Sequence, residues 1–230
     1  MLKKVWLLIV GLVFLLNLQC FAVEDLHFKG FIADEAKVLS EDVIQDLNMT
    51  LWDLQKKSGA DIAVVTLPSL DGRSVVDVAL DIGRSYKIGS KEKNNGVVFL
   101  TAINERKMRI EIGTGLEGKI KVTQLTEIRD NDILPYYRQS DYENGIAIGT
   151  YKLADLVAEA EGVSIQHQGT CPSTATNSSK TSSRERAPWW IYLIAAIMAP
   201  FSGRRRRGMG DFGGFGGGGS FGGSGCSGSW

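Results

Sequence analysis

The stretch Asp61-Ile62-Ala63-Val64-Val65-Thr66-Leu67 is apolar almost throughout over the length of one strand, and nothing else in the chain limits the fold as much. A strand without polar alternation needs cover on both faces, so helices must lie above and below its sheet. The flanking sequence supplies them. Upstream, Ser40 stands as N-cap before Glu41 and Asp42, and Val43, Ile44, Leu47, Leu51 and Leu54 recur at helical spacing until Ser58-Gly59 ends the pattern. Downstream, after a loop over residues 68–72, Val75, Ala79, Ile82 and Tyr86 predict a second helix.

Val97-Val98-Phe99-Leu100 predicts a second buried strand, and a turn near Asn104-Glu105 leads into Lys107-Met108-Arg109-Ile110-Glu111-Ile112. The alternation there predicts a strand with one wet face. Helical patterns follow over about 123–137, interrupted at Pro135, and from an Asp141 cap to about Ala160. The expected order is α-β-α-β-β-α-α. The fold class is therefore α/β, a three-layer α/β/α sandwich around a small central mixed sheet.

Both ends of the chain depart from this pattern. Residues 1–22 read as a secretory signal peptide: Lys3 and Lys4, an apolar run, then Cys20-Phe21-Ala22 as a small-x-small cleavage site. Residues 23–162 form the expected soluble domain, and 163–187 a flexible Ser/Thr-rich linker. Residues 188–202 read as a membrane segment, with Trp189, Trp190 and Tyr192 as an aromatic belt and Arg204 to Arg207 as a stop-transfer flank. The positive-inside rule then places the domain outside the cytoplasm and the remainder within it. Residues 203–230 are a basic and Gly/Phe-rich low-complexity tail, too poor in packing groups to fold alone.

The formal charge of the whole chain is zero, but residues 23–162 hold 17 Lys+Arg against 24 Asp+Glu, a balance of −7. Such acidity disfavours nucleic acid and suits divalent cations or basic partners. With the signal removed, Cys171 and Cys226 flank the expected membrane segment, so no intramolecular disulfide is expected. Only His27 and His167 occur, which excludes a histidine-rich metal centre.

One motif invites a nucleotide reading. Gly113, Gly115 and Gly118 spell G-x-G-x-x-G directly after a strand. That strand is the return arm of a hairpin, however, and the position about 20 residues on looks helical rather than like the acidic end of the next strand, so no nucleotide is expected. The pattern G-x-S-x-G over residues 218–222 lies in a glycine repeat and lacks the strand-turn-helix setting of a nucleophile elbow.

Several blocks in order carry a family resemblance: Asp34-Glu35-Ala36-Lys37-Val38-Leu39-Ser40, Gly59 to Thr66, Asn94-Asn95-Gly96-Val97-Val98, Arg109 to Gly118, and Asp141-Tyr142-Glu143-Asn144-Gly145. Together they resemble the TPM domain family over about Phe28 to Ala160. The linker, apolar segment and Gly/Phe/Trp tail resemble its YgcG-like bacterial membrane-anchored members. The resemblance implies an α/β/α sandwich in the cell envelope, with calcium binding and a weak acid phosphatase activity ascribed to some members. Where the family often reads Asp-Asn-Gly this chain has Asn94-Asn95-Gly96, one charge fewer.

Oxygen ligands for a hard cation such as Ca2+ could come from Asp34, Asn94, Asn95 and Glu117. Each has another use: an Asx-turn for Asp34, a positive-φ turn for Asn94 and Asn95, a helix cap for Glu117. No covalent nucleophile stands in a recognisable frame, and the catalytic residues are unassigned. The sequence therefore points to a single-pass envelope protein with a cytoplasmic tail, a calcium-modulated module that binds or maintains a protein complex. The alternative is a metal-dependent acid phosphatase displayed outside the membrane.

Overall fold

The computed structural model describes residues 26–167 and 214–230. The expected signal peptide, residues 168–187 of the linker and the expected membrane segment lie outside the described residues.

A short strand, β1 (Ile32–Asp34), precedes helix α1 (Glu41–Ser58). The acidic first turn and basic last turn of α1, Glu41/Asp42 and Lys56/Lys57, both match the helix dipole. Gly59 ends it at φ 74°, donating its N–H to Gln55 O. Next come β2 (Asp61–Leu67), α2 (Val75–Ser85), β3 (Gly96–Ala102) and β4 (Lys107–Gly113). Ser74 caps α2, its side chain accepting from the N–H of Val76.

The third helical region divides into α3 (Val122–Glu127), a π-helical turn (Ile128–Ile133) and α4 (Leu134–Tyr137). Pro135 has no N–H to give the carbonyl four residues back, and the widened turn lies just ahead of it. Helix α5 (Tyr142–Glu161) follows, capped by Asp141. The chain re-enters at residue 214 and ends in β5 (Phe221–Ser229).

These strands form one mixed sheet in the order β1-β2-β3-β4-β5, parallel from β1 to β3 and antiparallel across β3-β4 and β4-β5. β2 and β3 are buried along their whole length, as their unbroken apolar runs require. On one face Ile62, Val64, Val97, Phe99, Met108 and Ile110 pack with Leu47, Leu51 and Leu54 of α1 and Leu153 and Val157 of α5. On the other, Ala63, Val65, Val98 and Leu100 pack with Val78, Ala79 and Ile82 of α2.

Two expectations need correction. The face of β4 expected to be wet is covered, since Arg109 is 7% exposed and Glu111 is fully buried. The tail, read as low-complexity sequence outside the domain, supplies the fifth strand of its sheet. Main-chain pairing needs no apolar side chains of its own, so a sequence of glycine and serine can occupy a strand when a neighbour provides the ladder.

The end of β5 is fixed by aromatic packing. The Trp230 ring lies edge-on to Tyr137, with centroids 4.5 Å apart, and 5.9 Å from Tyr142. Trp230→Ala is expected to lower the unfolding free energy of the full chain by about 2 kcal/mol, from lost aromatic area and ring pairing. Urea denaturation followed by circular dichroism measures this.

Candidate functional site

A strand next to the edge of a sheet leaves a row of N–H and C=O groups that something must satisfy. Here that strand is β4, and its free side holds residues 221–229 in antiparallel register, Lys107 opposite Ser229, Ile110 opposite Cys226 and Gly113 opposite Phe221. Glycine at position 225 is needed because a Cβ there would lie 2.0 Å from the carbonyl oxygen of Ile110.

Side chains from three elements grip the backbone of this peptide. Arg109 of β4 donates through Nη2 to Gly223 O (2.9 Å) and through Nη1 to Ser227 Oγ (3.2 Å). Arg84 of α2 donates to Phe221 O (3.0 Å), and Arg129 of the π-turn to Ser227 O (2.6 Å). Guanidinium groups suit this work because a carbonyl bonded to a cation is held more strongly than one bonded to a neutral donor. The Phe221 ring sits against Gly83 of α2, where any Cβ would come within 2.6 Å of it.

Arg109 is oriented in turn by Glu111, whose Oε2 accepts from its Nε at 2.9 Å. Glu111 Oε1 is buried without a hydrogen-bond partner. Burial pushes the Glu111 carboxyl above the ordinary carboxylate range, although the Arg109 guanidinium opposes this. Burial also pushes the Cys226 thiol up to about 11, so it packs as a small apolar group.

Ahead of β5 the tail crosses the amino end of the parallel strands. Asp61, fully buried at the start of β2, accepts from Gly89 N (3.0 Å) and Gly216 N (2.7 Å) at Oδ2 and from Gln55 Nε2 (2.8 Å) at Oδ1. Gly218 N donates to Gly89 O. Phe215 packs edge-on against Phe28 and Phe31, with centroids 5.0 and 6.0 Å apart. Contact with the domain therefore recurs along the tail from residue 214 to residue 230.

The four candidate cation ligands are divided between the two ends of the sheet. Asp34 ends β1, where Oδ1 accepts from Thr66 Oγ1 (2.5 Å) and Val38 N (3.2 Å) and Oδ2 from Leu39 N (2.9 Å). Asn94, Asn95 and Glu117 lie at the opposite end. Asp34 is level with Thr66 and Gly96 with Asp61, a separation along β2 of roughly 17 Å at the usual strand rise. Asn94 takes φ 48°, and buried Asn95 accepts from Ser90 N (3.1 Å) while its Nδ2 has no partner. Among the described residues no three of His, Cys, Asp or Glu are placed to hold a metal ion together.

The glycine motif has its own packing role. A Cβ on Gly113 would meet Asn94 O at 2.2 Å, and one on Gly115 would meet Lys93 O at 1.7 Å. The backbone of residues 93–96 thus lies against the loop that a phosphate cradle would leave open.

The tail was the part of this site that sequence reasoning missed. One signal was available: Arg109 and Glu111 alternate with apolar residues on a strand that follows the buried run Val97-Val98-Phe99-Leu100, so a charged pair stood next to the core in need of a polar partner.

A profile of the TPM domain matches residues 32–156, more than half of the chain. Among solved structures, the N-terminal domain of a protein from P. gingivalis is 23% identical with a TM-score of 0.56, and the match covers 66% of this chain and 99% of that one. That likeness speaks for the fold. The BA42 protein from the psychrophilic bacterium Bizionia argentinensis is 20% identical with a TM-score of 0.47, covering 54% of this chain and 83% of that one. The N-terminal domain of the cg2496 protein from Corynebacterium glutamicum is 18% identical with a TM-score of 0.44, covering 70% and 92%. No curated protein matches.

Burial raises the Asp61 carboxyl above its ordinary value, against the hydrogen bonds from Gly216, Gln55 and Gly89. A carboxyl raised on folding contributes most below its unfolded pKa, and the contribution fades as pH rises through the folded value. Asparagine can keep the geometry, with Oδ1 accepting both glycine N–H groups and Nδ2 donating to a flipped Gln55 amide. Asp61→Asn is therefore expected to raise the urea midpoint at pH 7 and to raise it less at pH 4.

Proposed function

The chain belongs to the TPM domain family, and from that premise we propose that it is a protein-binding module of the cell envelope that holds an extended peptide segment along β4. The observation that carries this is the grip of Arg84, Arg109 and Arg129 on main-chain oxygens and one serine hydroxyl of a strand added to that edge. Recognition of this kind takes affinity from the backbone ladder and selectivity from pockets at chosen side chains. Here those pockets take the Phe221 and Trp230 rings, and the close approach of Ile110 O selects glycine between them.

Placement in the envelope rests on residues 1–22 of the sequence, read as a signal peptide. Modulation by calcium is carried by the family resemblance. Glu117 and Asn94 lie at one end of the sheet, whereas both carboxylate oxygens of Asp34 already accept local hydrogen bonds. A second reading, hydrolysis of phosphate esters, is favoured by the open groove that Arg73, Lys107 and Arg129 line beside Ser74 at the start of α2. Turnover of p-nitrophenyl phosphate by the full chain, lost in Lys107→Ala, would support it; no turnover with or without added divalent cation would end it.

For the binding function, a fluorescent peptide of residues 214–230 is titrated into the full chain and into Phe221→Ala/Trp230→Ala, whose own tail is weakened. Saturable anisotropy is expected for the double variant, at least tenfold tighter than for the unmodified chain, whose tail competes in cis. A peptide with Gly225→Val should not bind. Absence of saturation on both proteins at millimolar peptide would reject the proposal.

A further inference from the structure

The described residues stop at 167 and resume at 214, and residues at both points hydrogen-bond to side chains of α1. Gln166 N donates to Asp53 Oδ2 (3.1 Å), and Gly214 O accepts from Gln55 Nε2 (3.4 Å). Asp53 and Gln55 are two residues apart in α1, so the intervening 46 residues begin and end at neighbouring places on the same domain. From there the tail is bound to Asp61, to Gly89 and along β4 to Trp230.

The hydrocarbon core of a bilayer is about 30 Å thick, and a hydrogen-bonded ladder does not reach across it. A single crossing between residues 167 and 214 would put that thickness of lipid between β4 and β5. We infer that the α/β domain and the C-terminal tail share one compartment. The inference deepens the peptide-holding function, on which it rests, by making the tail the resident occupant of the β4 edge.

It also replaces the cytoplasmic tail that charge counting favours. A flanking-charge rule is statistical, whereas a strand ladder is a direct physical connection.

The test is a cross-strand disulfide in the full chain. Lys107 and Ser229 face each other in the register and both are exposed, so Lys107→Cys/Ser229→Cys is made in a Cys20→Ser/Cys171→Ser background, leaving the buried Cys226. Intact cells expressing this chain are treated with a membrane-permeant thiol oxidant, alkylated and run on a non-reducing gel, beside cells oxidised after detergent lysis. A cross-link within the single chain, in most chains of the intact cells, is expected. A cross-link seen only after detergent would overturn the shared compartment while leaving the strand pairing intact. No cross-link under either condition would overturn the pairing itself, and the peptide-holding function with it.

Discussion

The side of β4 turned away from β3 is the constraint to which the rest of the site answers. β3 satisfies one row of its backbone groups and β5 the other, in a sheet whose opposite edge is the three-residue β1. Proteins avoid a long bare edge because it pairs with whatever strand arrives. This chain fills the position with its own C-terminus, and several distant features become one assembly as a result. The π-turn ahead of Pro135 carries Arg129 to the carbonyl of Ser227, α2 presents Gly83 and Arg84 to Phe221, and the α4 region offers Tyr137 to Trp230.

Arg109 and Glu111 show how such an edge is made selective. A buried ion pair seldom adds net stability, since desolvation offsets much of the attraction, and removing one partner strands the other. The pair here is incomplete without the tail: Arg109 spends two donors on Glu111 Oε2 and turns two more to Gly223 O and Ser227 Oγ. Without an extended peptide, those guanidinium donors would face no protein acceptor. The arrangement favours an occupant that offers carbonyl oxygens and no bulk, which glycine and serine provide.

Much of the sandwich was legible because burial on both faces leaves a plain mark. Residues 61–67 and 97–100 are apolar without alternation, and α1 carries a cap position, an apolar stripe and a glycine stop. What escaped the sequence did so for physical reasons. β1 has three residues, too few for any period to appear, and β5 is written in glycine and serine, whose weak strand preference says nothing of pairing dictated by a neighbour. The cation site was grouped by residue chemistry, but the parallel register sets Asp34 and Asn94 at opposite ends of the strands.

Glycine explains how one tail can be both invisible to pattern and specific in place. In an isolated chain each glycine adds conformational freedom that folding must remove, which is why a run of them reads as unstructured. Against β4 the same lack of a side chain permits the approach of the Ile110 carbonyl to Gly225, a contact any Cβ would block. Selectivity therefore comes from exclusion at the glycines and attraction at Phe221 and Trp230, while the ladder supplies register. A segment built this way takes its conformation from the acceptor strand, which supplies the ladder.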